Sequence, residues 1–294
     1  MVHMGLAADA RALLMNVTAP VAVSHGRGLD FAGGDLPRPV RRTVPTRHGP
    51  VRCRVFTTPG ADRPGAVVHL HGGGFLMRYP QMDDWWSRFV VATTGLAVVD
   101  VDYGVAPRSR YPVAQEQAAD VLTWLATNAG DWGLDPDRIA VSGFSAGGNV
   151  AASACLQVRD AGGPVPRALL LVVPSLDVST TEKPSVGRHP MIGPSLLRLV
   201  RATYFKDESR RTEPYASPVL APSLAGLPPT TVVTGELDAL RAEGDTFAAR
   251  LDEVGLLEEH VVLPGRDHYA LEGGAAWSRD LMTRLAERLR AALA

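Results

Sequence analysis

The sequence has little cysteine, no excess of charge of either sign and no long apolar run. Cys53 and Cys155 are the two cysteines among 294 residues, and because they lack the C-x-x-C spacing of metal or redox sites we expect free, buried thiols. Lys and Arg number 30 against 31 Asp and Glu, so the net charge of −1 excludes attraction of nucleic acid or of an anionic membrane by bulk charge. No apolar run approaches the roughly 20 residues that span a bilayer. The N-terminus also lacks the pattern of a secretory signal, and we expect a cytoplasmic protein without membrane or nucleic-acid partners.

Short apolar runs alternate with amphipathic segments from residue 66 onward. The runs cover residues 66–70, 95–103, 138–143, 168–173, 230–235 and 259–263. Runs that are apolar on both faces are typical of buried parallel strands, and the segments between them, such as residues 114–129 and 244–255, have helical spacing. Residues 41–60 add two strands, which we place as an antiparallel pair at one sheet edge. The sequence therefore predicts an α/β fold with a mostly parallel eight-stranded sheet flanked by helices.

Two segments do not follow this alternation. Residues 1–40 contain one helix, at about 5–18, and a connector rich in glycine and proline. Residues 183–215 insert another helix between two strands. Extra helices at the carboxyl edge of such a sheet generally cover the pocket there, so we predict a helical cap made of these two segments. The remainder, residues 41–182 and 216–294, would form the catalytic domain.

The strongest local signal is a G-x-S-x-G motif, GFSAG at residues 143–147, directly after a strand run and before a helix of small residues. A serine at such a strand-to-helix turn points out of the sheet, and the motif needs glycines because side chains there would collide with neighbouring backbone. The start of the following helix favours negative charge. We interpret Ser145 as a nucleophile, and the alternative is a tight turn with an incidental serine.

A serine hydroxyl is a poor nucleophile unless a base removes its proton and an acid orients that base. In an α/β-hydrolase these residues follow in the order Ser, Asp or Glu, His. Asp238 and His268 follow the last two strand runs, at the sheet edge where Ser145 emerges, and we predict these three as the catalytic residues. Glu236 stays open as the orienting acid. We interpret Asp267, beside His268, as a surface residue or a capping residue of its loop.

Three consecutive glycines, Gly72 to Gly74, follow the first buried strand run within HLHGGGFLM. Each costs roughly 0.5–1 kcal/mol relative to alanine, so three in a row indicate that the backbone itself approaches another group closely; the alternative is a flexible turn. N–H donors aimed at the oxyanion of a tetrahedral intermediate are such a use, worth roughly 3–4 kcal/mol each. We predict that the amide of Ala146 supplies one donor and the glycine loop two more. His71 would fix this loop by hydrogen bonds.

These blocks resemble the hormone-sensitive-lipase-like (family IV) esterases of the α/β-hydrolase superfamily. HGGGF, VDYGVAP, GFSAGGN and PGRDHYAL are similar to that family's sequence blocks, in order, between about residues 65 and 275. The resemblance implies the same catalytic triad. The oxyanion hole that it implies consists of Gly73, Gly74 and Ala146. It further implies a helical cap, no metal or cofactor, and pairing of two copies as a homodimer.

The chain departs from the family pattern at three positions. Phe144 stands where the family usually has Asp or Glu, and Gly104 and Arg108 replace an Arg and a Glu of the second block. These changes concern the substrate range and the electrostatics of the pocket, not the nucleophile. As lining residues of that pocket we propose Phe75, Leu76 and Phe144.

The sequence thus favours a serine carboxylesterase that cleaves short- to medium-chain acyl esters of small molecules through an acyl-enzyme intermediate. A deacetylase or amidase that modifies a small metabolite is a second interpretation, raised by the atypical Phe144. A third is a protein of this fold that binds a ligand without turnover.

Overall fold

A mixed sheet forms the centre of the molecule, for which the computed structural model describes residues 2–23, 26, 28–184 and 190–294. Its strands are β1 (Val40–Val44), β2 (Val51–Phe56), β3 (Ala66–Leu70), β4 (Ala97–Asp102), β5 (Ile139–Phe144), β6 (Leu169–Val172), β7 (Thr230–Gly235) and β8 (Leu257–Leu263). They lie in the order β1-β2-β4-β3-β5-β6-β7-β8. β2 pairs antiparallel with both β1 and β4, and the remaining neighbours are parallel. The predicted fold class is confirmed.

Helices connect the strands and cover both faces of the sheet. They are α1 (Val2–Ala22), α2 (Asp84–Thr94), α3 (Val113–Asn128), α4 (Ala146–Asp160), α5 (Pro194–Thr203), α6 (Arg241–Asp252) and α7 (Ala275–Ala292). Short 3-10 turns lie at Pro80–Asp83, Ala129–Trp132, Glu208–Arg210 and Pro218–Leu220. α3, α4 and α6 pack on one face of the sheet and α2 and α7 on the other. Within the described ranges, no helix is long and apolar enough to cross a bilayer.

The observed strands lie within two residues of the predicted runs, because buried parallel strands carry their signal locally. The first helix is longer than predicted: it continues through Pro20 to Ala22 and packs against α5. α5 lies in the segment predicted to insert between two strands, of which residues 185–189 fall outside the described residues. The two cysteines are free and buried, as expected.

Aromatic side chains fill the core between α2 and the end of β5. Trp86 of α2 is fully buried, and its ring lies 5.7 Å from that of Phe144 and 6.5 Å from that of Phe89. Its Nε1 is buried without a hydrogen-bond acceptor among the described residues. The ring therefore stabilises the core by its size, while its N–H group lowers that stability.

We expect Trp86→Ala to reduce the free energy of unfolding by about 3–5 kcal/mol, because it leaves a large cavity. Trp86→Phe should cost much less, since it keeps most of the ring and removes the unpaired donor. Urea unfolding of the two variants beside the unmodified protein measures both values. Equal losses for the two variants would show that the ring volume is not what matters.

A second feature of the core is a buried carboxyl group on β4. Asp100 is 1% exposed, accepts a hydrogen bond from Ser87 Oγ at 2.9 Å and lies 3.4 Å from Arg54 Nη1. Burial raises the pKa of Asp100 to about 7, although neighbouring His69 and Arg54 act in the opposite direction. The folded protein therefore holds this proton at pH values where the unfolded chain has already released it.

We expect stability to decrease as the pH rises from about 4 to about 7, because over that interval the unfolded chain binds fewer protons at Asp100 than the folded protein does. Asp100→Asn cannot ionise, so its free energy of unfolding should depend less on pH. The difference should be about 1.4 kcal/mol for each unit that separates the two pKa values. Urea unfolding at about pH 5 and about pH 8 tests this, and identical pH slopes for both proteins would refute it.

Candidate active site

Ser145 occupies a strained turn between β5 and α4. Its backbone has φ +54° and ψ −117°, a region that L-residues rarely adopt. A Cβ on Gly143 would overlap with the carbonyl of Gly147, and one on Gly147 would overlap with the carbonyl of Leu70. Both glycines are therefore needed for close approach of backbone to backbone, which is the reason predicted from the motif. The turn places the serine side chain at the carboxyl edge of the sheet.

The hydroxyl of Ser145 meets the imidazole of His268. Ser145 Oγ lies 2.7 Å from His268 Nε2, and His268 Nδ1 lies 2.8 Å from Asp238 Oδ2. An ionised carboxylate only accepts hydrogen bonds, so Nδ1 carries the ring proton and Nε2 can accept the serine proton. Asp238 and His268 are 2% and 5% exposed, which strengthens their interaction by excluding water. The structure thus brings together the three side chains that the sequence singles out.

The two other acidic residues considered near His268 accept hydrogen bonds from backbone N–H groups. Glu236 accepts the N–H of Gly265 at 2.6 Å, so its carboxylate fixes the loop after β8. Asp267 accepts the N–H of its neighbour His268 at 2.7 Å and that of Met191 at 3.0 Å. It therefore caps its own loop, as interpreted from the sequence, and also joins that loop to the inserted segment.

The glycine loop after β3 lies beside Ser145. Gly73 and Gly74 have φ values of +107° and +61°, which favour glycine. Their N–H groups and that of Ala146 have no hydrogen-bond acceptor within the described part of the chain. These residues line the cavities that also contain Ser145. N–H donors without an acceptor at this place are what a developing oxyanion requires.

His71 holds the glycine loop in shape. Its Nδ1 donates to the carbonyl oxygen of Gly72 at 2.7 Å, and its ring stacks on Tyr103 at 4.4 Å. The Tyr103 hydroxyl donates in turn to the carbonyl oxygen of His71 at 2.5 Å. Burial lowers the pKa of His71 to about 4, so the ring stays neutral near pH 7. The predicted role of His71, fixing the loop by hydrogen bonds, agrees with these contacts.

Two cavities meet at Ser145. The larger, of about 260 Å³, extends along His268 and has a mostly apolar wall. Side chains that contribute to this wall include Met15, Met77, Met82, Phe144, Met191 and Leu271. The smaller, of about 30 Å³, lies on the Ala146 side. Its wall includes Phe75, Ser175, Asp177, Leu197, Val200 and Arg201.

The three predicted lining residues have different positions. Phe144 lines the larger cavity and Phe75 the smaller one. The prediction for Leu76 is wrong: its side chain is fully buried in the hydrophobic core and lies outside the lining of both cavities. The N–H of Leu76 donates to the carbonyl oxygen of Gly73 and closes a turn. This turn directs the consecutive side chains of Phe75 and Leu76 to different places. In a strand, successive side chains point to opposite faces, but in a loop the direction of a side chain cannot be inferred from such an alternation.

Several wall residues were not singled out in the sequence, although three of them lie in the two segments predicted to cover the pocket. Met15 comes from α1, and Met191 and Leu196 come from the segment inserted between β6 and β7. Asp83, whose carboxylate accepts the N–H of Gly72 at 3.2 Å, also lines the larger cavity. Contacts between segments so distant along the chain depend on tertiary packing, which no local spacing reveals.

Comparison with known proteins agrees with this geometry. The profile of a family described by its α/β-hydrolase fold matches residues 67–272. An arylesterase of Saccharolobus solfataricus is 31% identical over 240 residues, which cover 81% of this chain and 78% of that protein. An ethyl acetate hydrolase of Pseudomonas putida is 29% identical over 246 residues, covering 79% of this chain and 76% of that protein.

The solved structures give the same result. A hyperthermophilic esterase from the archaeon Pyrobaculum calidifontis superimposes with a TM-score of 0.82 at 30% sequence identity, covering 97% of this chain and 88% of that one. The family profile alone spans more than half of the chain. The chain therefore belongs to the hormone-sensitive-lipase-like esterases of the α/β-hydrolase fold family.

Proposed function

We propose that the protein hydrolyses carboxylic esters, with Ser145 as nucleophile, His268 as general base and acid, and Asp238 as the residue that orients His268. Ser145 Oγ attacks the ester carbonyl carbon while its proton passes to His268 Nε2. The imidazolium then gives this proton to the alcohol oxygen as the C–O bond breaks, which leaves the acyl group on Ser145. Water activated by His268 releases the acid in the second half of the cycle. The continuous hydrogen-bonded chain from Asp238 to Ser145 carries this proposal.

The amides of Gly73, Gly74 and Ala146 are proposed to bind the oxyanion of both tetrahedral intermediates. Their lack of other acceptors within the described residues means that no hydrogen bond must break when the charge forms. The buried neutral ring of His71 sets the direction of one of them. Because C=O and N–H point in opposite directions in a trans peptide, holding the Gly72 carbonyl turns the Gly73 N–H the other way.

The position of His268 supports an assignment of the two cavities to the two parts of the substrate. His268 must reach the leaving oxygen in order to protonate it, so the alcohol part of the substrate lies on its side of Ser145. The larger, mostly apolar cavity includes His268 and the smaller one does not. We therefore place the alcohol in the larger cavity and the acyl group in the smaller one.

The size of the smaller cavity limits the acyl group. A volume of about 30 Å³ holds roughly two water-sized groups, which suits acetyl or propionyl better than a longer chain. One relative is named for hydrolysis of an ester with a two-carbon acyl group, ethyl acetate. We thus propose esters of short acids with larger, apolar alcohols as the substrate class. α1 and the inserted segment would act as the cap that shapes the alcohol side.

We expect Ser145→Ala and Asp238→Asn to lower kcat for p-nitrophenyl acetate by about 10³-fold or more, because the first removes the nucleophile and the second the acceptor that orients His268. Glu236→Gln is the matched control. Its carboxylate holds a loop amide, and the variant should keep kcat within about threefold of the unmodified protein. Steady-state kinetics at constant pH measures all three.

A large loss of kcat in Glu236→Gln together with an active Asp238→Asn would reassign the orienting acid. Equal rates of the unmodified protein and Ser145→Ala would refute the esterase mechanism and favour a protein that only binds a ligand. Faster turnover of p-nitroacetanilide than of p-nitrophenyl acetate would favour the amidase interpretation.

Acyl and alcohol length should affect the rate unequally. We expect kcat/KM to fall by about tenfold or more from p-nitrophenyl acetate to the octanoate, because the longer chain overfills the smaller cavity. From ethyl acetate to octyl acetate it should stay constant or rise, since the larger cavity buries the added methylenes. Initial rates across the two ester series measure this.

Two truncations provide matched controls for that assignment. Leu197→Ala enlarges the smaller cavity and should raise the rate on the octanoate relative to the acetate. Met77→Ala enlarges the larger cavity and should change the alcohol series while leaving the acyl series as it was. The reverse pattern would show that the acyl group occupies the larger cavity and the alcohol the smaller one.

A further inference from the structure

A buried carboxylate lies directly behind the glycine loop. Asp83 ends the 3-10 turn that leads into α2 and is 1% exposed. Its Oδ2 accepts hydrogen bonds from the amide of Gly72 and from Nε2 of His69, each at 3.2 Å. Burial of a carboxylate is unfavourable unless such donors compensate the lost hydration. The buried carboxylate therefore favours a conformation in which both N–H groups point at it. One of these groups, the amide of Gly72, belongs to the glycine loop beside Ser145.

We propose that Asp83 is a positioning residue of the oxyanion hole, which holds the Gly72 amide and is joined through His69 and Ser142 to the strand that carries the nucleophile. This proposal rests on the esterase mechanism given above.

The first step concerns the two peptide groups on either side of Gly72. Asp83 holds the N–H of the preceding peptide group, and His71 holds the C=O of the following one. With both groups fixed, the φ and ψ angles of Gly72 cannot vary. The N–H of Gly73 belongs to the second peptide group, so its direction is determined as well. The Tyr103 hydroxyl also holds the first peptide group, through the carbonyl oxygen of His71, so loss of the Asp83 bond would leave that group with one restraint instead of two.

The second step concerns the link to β5. His69 on β3 is paired in register with Ser142 on β5, and its Nδ1 lies 2.8 Å from Ser142 Oγ. Since Asp83 accepts from Nε2, the ring carries its proton there and Nδ1 accepts the Ser142 hydroxyl. Ser142 precedes Ser145 by three residues on the same strand and turn. The network thus joins the loop that would bind the oxyanion to the segment that presents the attacking oxygen.

The order of Asp83, His69 and Ser142 is that of a catalytic triad, but its burial excludes nucleophilic catalysis. His69 and Ser142 are both 0% exposed, and neither lines the two cavities at Ser145. A substrate therefore cannot reach the Ser142 hydroxyl. The network can therefore only fix backbone groups. The group that Asp83 fixes, the amide of Gly72, belongs to the glycine loop.

The test compares Asp83→Ala with Asp83→Asn. We expect Asp83→Ala to lower kcat for p-nitrophenyl acetate by about 10- to 100-fold with KM within about threefold, because a displaced donor affects the transition state more than the bound ester. The inhibition constant of a trifluoromethyl ketone, which forms a tetrahedral adduct with serine, should rise by the same factor. Asp83→Asn keeps an accepting oxygen and should lose only about three- to tenfold in kcat.

Glu236→Gln is the matched control, since its carboxylate likewise holds a loop amide, that of Gly265, and within the described residues has no hydrogen bond to His69 or to the glycine loop. It should leave kcat and ketone inhibition within about threefold of the unmodified protein. A folded Asp83→Ala with unchanged kcat and unchanged ketone inhibition would overturn the proposal. So would a loss of equal size in Asp83→Asn and Asp83→Ala, because the conservative variant would then not restore function.

Should Asp83→Ala fail to fold, Ser142→Ala replaces it in the test. This variant removes the last group of the network and should lower kcat and ketone affinity together by about three- to tenfold, whereas unchanged values in it and in Asp83→Asn would refute the proposal. Failure of the esterase mechanism itself is recognised separately, because the unmodified protein would then be no faster than Ser145→Ala.

Discussion

The contact between α4 and the end of β3 is the constraint on which the rest of the site depends. Gly147 lies against the carbonyl groups of Leu70 and His71 at a separation that no Cβ would allow. The first turn of α4 and the glycine loop are therefore adjacent through backbone alone. Ser145 and the free amides take their places from this packing, before any side chain contributes. The strained φ of Ser145 is tolerated because both flanking elements are firmly held, by sheet pairing on one side and by the helix on the other.

Most of the fold and the central part of the site can be predicted from the sequence because their signals are local. A run such as residues 230–235 is apolar on both faces whatever surrounds it, and it became β7 with unchanged bounds. The glycines around Ser145 reflect steric demands within one turn, so their spacing between a strand and a helix indicates which serine to propose as the nucleophile. The order of Asp238 and His268 along the chain then follows from the order of parallel strands whose carboxyl ends share one edge.

The remainder depends on contacts between distant segments. Glu236 and Asp238 both follow β7, and no spacing distinguishes an acid that meets an imidazole from one that meets a loop amide. Leu76 was misplaced because the turn at the preceding residues, not a two-residue alternation, decides where its side chain points. Asp83 lies eleven residues beyond the amide that it holds, and its sequence neighbours indicate only a turn and the start of a helix.

The segment inserted between β6 and β7 determines more than the shape of the cavity. Its residue Met191 lines the larger cavity and donates its backbone N–H to Asp267, which in turn accepts the N–H of His268. At the other end of this segment, Lys183 pairs with the buried Glu243 of α6. The wall of the cavity and the backbone of His268 are therefore joined through a single carboxylate. Because Met191 and His268 share this carboxylate, a displacement of the cavity wall at Met191 acts on the loop that carries His268.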